Sequence, residues 1–521
     1  MMGSESVRKQ SLLQGAFVLT AAGLITKILG FATTILQSRI IGAEAIGLQM
    51  MVTPLIGLLM TITTLGLPVA VSKAVAEAEA QGNKTKIKRI LLVSLTLTCS
   101  AALILTLGLA YFGKTLSRIF LADQRAYYSL MAIVPVIPIL AISGILRGYF
   151  QGRQNMNPLA LSQVIEQIIR IALLYGLVQA FAERGIEYAA AGAVLAGVLG
   201  ELAALIYLLF KFRTVGRYRS DSLKLLRGLT YSKIDLVELL RTGLPQTGNQ
   251  FFRSLLRVVQ PTLITRSLLK TGLSASAIAE QFGMLTGYVY PLLFFPGFIN
   301  YSLAVALVPA ISEAASRNRM RLANRRASNA FRASLLVGVP SSLILFVFAE
   351  PILTLFYRAP EAAGLLRVTA PFYLFQYFHS PMQSSLIGLG RSTTAMVNNI
   401  VPRCIGLALI YPLAVTMGWG IYGVAAASNL AVVLETVLHY LALRHRIGPC
   451  FQFAEAGKII AIGAAAACFS KFTYDTIIMY QVSKSTAAVW SAAVLLLIYF
   501  ALIFITNTLR WSAVWVTFKR R

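Results

Sequence analysis

The sequence predicts an all-α integral membrane protein of fourteen transmembrane helices. Two pseudo-symmetric six-helix lobes are expected around a central cavity, with two further helices at the C-terminal end. Three observations point there. Apolar stretches of about 20 residues, enough to cross about 30 Å of hydrocarbon as a helix, recur fourteen times. Basic residues crowd every second connection. Segments of the first half are written again in the second. Of 521 residues, 57% are hydrophobic and only 13% charged, too little polar surface for a soluble protein of this size. A spanning barrel would show short alternating strands instead.

The predicted spans are 11–36, 48–71, 90–112, 127–149, 160–181, 187–210, 240–265, 281–307, 333–356, 365–388, 395–416, 421–443, 456–474 and 486–508. The first follows Arg8 and Lys9, as a signal peptide would. It is too long for an h-region and has no clear small-residue cleavage site, so it reads as a retained helix. The second span carries Pro54 and Gly57, and the eighth carries Pro291, Pro296 and Gly297. Such residues break helices beside substrate sites, or kink them to improve packing.

The formal charge is +28, which on a soluble protein would suggest nucleic acid. The positions argue for membrane topology instead. Lys84, Lys86, Lys88 and Arg89 form one cluster; Lys211, Arg213, Arg217 and Arg219 a second; Arg317, Arg319, Arg321, Arg325 and Arg326 a third. All lie in connections on one side, which the positive-inside rule assigns to the cytoplasm, with both termini. The expected place is the bacterial cell (inner) membrane, with anionic lipid heads as partners and no nucleic acid. Segment 313–332 is expected to form an amphipathic helix on the membrane surface. Cys99, Cys404, Cys450 and Cys468 are scattered, and His379, His439 and His445 look unclustered. No metal site, disulfide framework or cofactor is predicted.

The repeat shows in order along the chain. LRGYFQGRQNMNPLALSQVIEQIIRIALLY (146–175) parallels LIGLGRSTTAMVNNIVPRCIGLALIY (386–411), each passing Gly-Arg into a span. Pro135 and Pro371 precede those arginines by 18 and 20 residues. TLGLPVAVSKAVAEA around Pro68 matches LAVALVPAISEAASR around Pro309. Glu201 precedes Lys211 by 10 residues, and Glu435 precedes Arg444 by 9. The expected domains are an N-lobe (1–212), a basic cytoplasmic linker (213–235), a C-lobe (236–446), and two helices with a basic tail (447–521). Six helices per repeat is even, so the repeats are parallel, about an axis normal to the membrane.

Inside the spans lie unusual polar stripes. Gln246, Asn249, Gln250, Arg253, Arg257 and Gln260 share one face of the seventh span. A charge at the bilayer centre costs at least about 2.5 kcal/mol, so this face implies water, an acidic partner or an anionic ligand. The first span matches it: Lys27 precedes Arg39 by 12 residues, and Arg253 precedes Arg266 by 13. Thr20, Gly23, Lys27, Gly30 and Thr34 make its stripe. Arginine's fork of donors suits phosphate oxygens, and lysine acts as a point charge. Lys27, Arg253 and Arg257, aided by Gln246, Asn249 and Gln250, are the candidate site for an anionic head group, best a pyrophosphate. The competing reading pairs the cations with Glu166, Glu201 or Glu435. Glu166 and Arg170 stand i, i+4 in the favourable order for a helical ion pair. Glu201 and Glu435 are expected to pair with loop arginines or to titrate. Arg39 and Arg266 are candidate gating or ion-pair residues.

No nucleotide-binding Gly-x-x-x-x-Gly-Lys-Ser/Thr, Gly-x-Ser-x-Gly elbow or His-Glu-x-x-His occurs, which argues against an enzyme. QGAFVLTAAGLITKILGF, RIIGAEAIGL, LGLPVAVSKAVAEA, the 146–175 block, GIEYAAAGAVLAGVLGELAALIYLL and LVPAISEA together carry a family likeness. The chain resembles sporulation members of the polysaccharide-transporter branch of the multidrug/oligosaccharidyl-lipid/polysaccharide exporter superfamily. The likeness spans the whole chain and is strongest through the first six spans. It implies flipping of an undecaprenyl-linked cell-wall precursor for the spore cortex, as related lipid II flippases do with cavity arginines. Lys27 matches one such basic position. The Arg-Asp pair of those relatives is here Thr33-Thr34, so Arg253 and Arg257 are the expected source of the missing charge. The alternatives are a cation-coupled multidrug exporter and a non-transporting scaffold recruiting cell-wall synthases.

Overall fold

In the computed structural model, residues 12–121, 123–215 and 233–506 are described, and all their regular structure is helical. Most of the 213–235 linker, with Arg217 and Arg219, lies outside them. So do the side chains of Gln246 and Asn249.

The chain packs as two compact units. The first is Met1–Arg266 with Ser274–Gly283; the second is Ser267–Leu273 with Met284–Arg521. The first contains α1 (Leu12–Thr64), α2 (Leu67–Ala80), α3 (Lys84–Phe120), α4 (Ala126–Ile133), α5 (Val136–Gly152), α6 (Asn157–Ala182) and α7 (Ile186–Val215). It also holds most of α8 (Lys233–Leu269) and all of α9 (Ala275–Gly283). A π-helical turn, Met284–Val289, opens the second unit. There follow α10 (Tyr290–Phe294), α11 (Phe298–Ser316), α12 (Met320–Val347), α13 (Ala349–Tyr357), α14 (Ala363–Gly388), α15 (Ser392–Tyr411), α16 (Gly420–Ile447), α17 (Phe453–Met479) and α18 (Lys484–Ile505).

Local chemistry explains the breaks. The first predicted span and most of the second merge into α1, interrupted at Gly42, whose φ of 75° suits a residue without Cβ; the second span then turns through Leu65 and Gly66 into α2. Asn83 caps α3 by accepting from the Lys86 amide at 2.9 Å, and Ser483 caps α18 through the Thr486 amide. The fourth span is bent by 41° across Val134 and Pro135. The eighth is broken into π, α and 3₁₀ turns around Pro291, Pro296 and Gly297, as those residues predict. Segment 313–332 is not a surface helix. It is the end of α11, a turn through Asn318 at φ 57°, and the start of α12, whose Ala323, Ala327 and Phe331 are buried. Those apolar residues seek the protein core rather than the lipid surface.

Among the described residues, nine helices are long and apolar enough to cross a membrane, or eleven if two bent pairs each count as one. Of the predicted spans, that at 48–71 runs from α1 through a turn into α2, that at 333–356 covers α12 and α13, and those on α8 and α14 are helical without passing that test. Outward faces are apolar too: Ile104 and Tyr111 on α3 are 70% and 82% exposed, as lipid contact requires. The first unit's core joins Leu67, Val71, Ile90, Tyr149 and Leu208; the second joins Phe331, Val339, Leu386, Leu443 and Ile459. Tyr499 on α18 is fully buried in that second core, so the appended helices are built into it.

Close helix approach is set by glycine. A Cβ at Gly47 would overlap the Ala279 carbonyl, and one at Gly283 would overlap that of Ala43, so α1 and α9 touch backbone to backbone. Gly57 meets nothing. Gly47→Val should therefore cost about 1–3 kcal/mol by overpacking, while Gly57→Ala should gain about 0.5–1 kcal/mol. Thermal unfolding of the detergent-solubilised protein reads both: the first midpoint falls and the second holds or rises.

Candidate functional site

The stripe on α8 is separated from its packing face. Ser254, Val258, Thr265 and Leu268 are buried, and the Ser254 hydroxyl lies 3.3 Å from that of Thr61 on α1. Gln250 and Arg257 are exposed, with Arg253 half-buried beside them. On α1, Lys27 and Thr20 are exposed and Gly23, Gly30 and Thr34 half-buried. The Thr33 and Thr34 hydroxyls donate to the carbonyls of Leu29 and Gly30 in their own helix. Neither threonine replaces a charge. Lys27 makes no ion pair among the described residues.

The glutamates that could have neutralised these cations have partners elsewhere. Arg170 Nη2 donates to Glu166 Oε1 at 2.7 Å, the i, i+4 pair the spacing predicts. Glu201 pairs not with a loop arginine but with Arg147, reaching from α5 to α7 at 2.8 Å. Arg147 also stands 4.0 Å from Glu166, so four charges alternate across three helices. A Cβ at Gly200 would lie 2.6 Å from the Glu166 carbonyl, so glycine lets α6 and α7 close around the network. Sequence reasoning missed Arg147, although it lies inside the repeated 146–175 block.

In the second unit, Glu435 on α16 is met by a base from another helix. His379 Nδ1 on α14 lies 3.1 Å from Glu435 Oε1, an ion-pair distance. His439 stands one turn along α16, its ring centroid 5.6 Å from that of His379. Two of the three histidines are thus clustered after all: 60 residues of sequence hide a contact the fold creates. Among the described residues, no group of three or more His, Cys, Asp and Glu has metal-binding geometry.

Arg39 is exposed. Arg266 donates through Nη2 to the Ile119 carbonyl at 2.5 Å, and Thr262 to that of Phe120, tying the end of α8 to the end of α3. Nearby, Arg125 joins Asp123 at 2.7 Å and Glu44 at 2.6 Å. Hydrogen bonding to Asp123, then to Glu44, holds that guanidinium above its ordinary value.

A model described as polysaccharide biosynthesis protein matches residues 12–315, more than half of the chain. The chain belongs to that family. A second model, MatE, matches residues 271–411. Over 433 residues the chain is 40% identical to stage V sporulation protein B of Bacillus subtilis, covering 83% of each. Over 511 residues it is 23% identical to the lipid II flippase MurJ of the same organism, covering 92% of each. Among solved structures, lipid II flippase MurJ in an inward closed conformation superposes with TM-score 0.71 at 14% identity, covering 94% of this chain and 99% of that one. An inward-facing multidrug resistance MATE family transporter reaches 0.67 at 16%, covering 84% and 98%. The fold is that of a multi-pass membrane transporter of this family.

Removing Arg147 leaves Glu201 buried without its partner. Arg147→Ala should cost about 3–5 kcal/mol of stability, and adding Glu201→Gln should recover part of it. Unfolding midpoints of the single and double variants check the coupling; equal losses for both would contradict it.

Proposed function

We propose that the chain is a flippase that carries an undecaprenyl-pyrophosphate-linked peptidoglycan precursor, lipid II-like, across the bacterial cytoplasmic membrane by alternating access. Spore cortex synthesis is the proposed use, following the likeness to stage V sporulation protein B. Both termini lie in the cytoplasm, by the placement of the basic loops. Fourteen crossings, six to each repeat and two appended, belong to the same proposal.

One observation carries the reading: Lys27, Arg253 and Arg257 stand on exposed or half-buried polar stripes of α1 and α8, while Glu166, Glu201 and Glu435 lie within pairing distance of Arg170, Arg147 and His379. Lys27, Arg253 and Arg257 bind the pyrophosphate, with Gln246, Asn249 and Gln250 beside them. A doubly bonding guanidinium fork matches phosphate oxygens, and such contacts strengthen where water is partly excluded. The head group is stripped of water as it leaves one surface, and the cations replace that hydration. The polyprenyl chain stays in lipid, where it costs nothing. Arg39 and Arg266 are assigned to gating; the Arg266 bond to α3 must break if the ends of these helices separate.

The MatE match favours one rival, a cation-coupled multidrug exporter. A cationic drug needs an unsatisfied carboxylate in its path, and cation-lined stripes repel it.

Reconstitution in liposomes with labelled lipid II tests the reading, timing exposure of the sugar to an external enzyme. Wild type should expose it, and Arg253→Ala and Lys27→Gln should each slow exposure about tenfold or more, the loss of one charge-assisted contact. Unchanged rates in correctly folded variants would overturn the assignment.

A further inference from the structure

The two repeats treat one glutamate differently. Glu201 and Glu435 hold corresponding places before the basic ends of the sixth and twelfth spans. Both are 4% exposed. Each is met by a base from the helix that leads into its own repeat's Gly-Arg turn: Arg147 on α5 at 2.8 Å, His379 on α14 at 3.1 Å. Arginine keeps its charge throughout the physiological range, whereas imidazole titrates near about pH 6.5 in water. The first pair is permanent. The second depends on a proton.

A second imidazole completes the cluster. His439 Nδ1 lies 2.7 Å from the Glu435 backbone carbonyl. A carbonyl oxygen only accepts, so Nδ1 carries the hydrogen and Nε2 is the nitrogen that gains and loses a proton. The two rings meet edge-on, so a proton on either is felt by the other.

The charged surroundings come from several helices. Glu435 faces His379 from α14, Arg403 from α15 and His439 from its own helix. Tyr373 on α14 also faces Arg403. The π-helical turn Pro412–Thr416 against α16 has no ionisable side chain. The nearby α12 carries Arg321, Arg325, Arg326 and Arg332, of which Arg326 engages Glu313 and Arg332 engages Glu455. One carboxylate, one fixed cation and two imidazoles change their net charge by one for each proton taken. The His379 side chain is 15% exposed while His439 is fully buried, which makes His379 the entry point.

We propose that His379, Glu435 and His439 form a buried proton-binding site in the second half of the chain, and that its occupancy sets the transport rate. The rate clause rests on the flippase reading above; the proton site does not.

Two measurements separate them. The chain has three histidines, so ¹⁵N-imidazole resonances of the purified protein are assignable with His445→Gln as the exposed reference variant. His379 and His439 should titrate interdependently, and in His379→Gln the His439 curve should move. Two independent curves, or a His439 curve unmoved by the substitution, would overturn the site. In liposomes, wild-type flipping should change about threefold or more between about pH 5 and 8, the range over which histidine side chains change charge. His379→Arg, which copies the first repeat, should flatten that profile, and His445→Gln should keep it. A wild-type profile in both His379→Arg and His379→Gln would overturn the rate clause. If wild type moves no lipid at any pH, the flippase reading fails, and the resonance titration still decides the proton site.

Discussion

Hydrocarbon does not tolerate a lone charge, and the organisation of this chain follows from that penalty. Even on lenient scales, an arginine at mid-membrane costs about 2.5–3.5 kcal/mol. Two responses are visible. Arg147, Arg170, Glu166 and Glu201 cancel one another inside the first unit, on helices that glycines bring close. Lys27, Arg253 and Arg257 instead sit on stripes turned away from the packed faces of α1 and α8. The first response is structural. The second gathers positive charge on polar faces, and an anionic lipid head is the ligand we propose for it.

The proposed duplication supplies a natural comparison. A carboxylate recurs at corresponding points of the two repeats, and so does a base facing it from a neighbouring helix. The base is a guanidinium in one place and an imidazole in the other. That single difference turns a permanent contact into a conditional one, while the surrounding helices keep similar roles.

Much of this was legible along the chain. Apolar length marked the long helices, and Pro291, Pro296 and Gly297 foretold the broken eighth span. The Glu166–Arg170 pair follows from i, i+4 spacing, which needs only one helix. Contacts between helices were not legible. Arg147 and Glu201 are 54 residues apart, and His379 and Glu435 are 56 apart; no periodicity reports such meetings. The surface helix expected at 313–332 failed for a related reason. Its basic residues suggested lipid heads, but Ala323, Ala327 and Phe331 align as a packing face that only the tertiary structure reveals. On α8 the stripe of Gln250, Arg253 and Arg257 was readable because polar residues inside an apolar span are costly enough to stand out.

Water beside the cations is the central claim, and thiol accessibility measures it. Cysteine placed at positions 27, 253 and 257, one at a time in a cysteine-free background, would be treated in membranes with a small charged thiol reagent. The account predicts reaction at all three, slowed by added pyrophosphate-bearing lipid. Reaction only with a lipid-soluble reagent at these positions would put the stripes in hydrocarbon and contradict it.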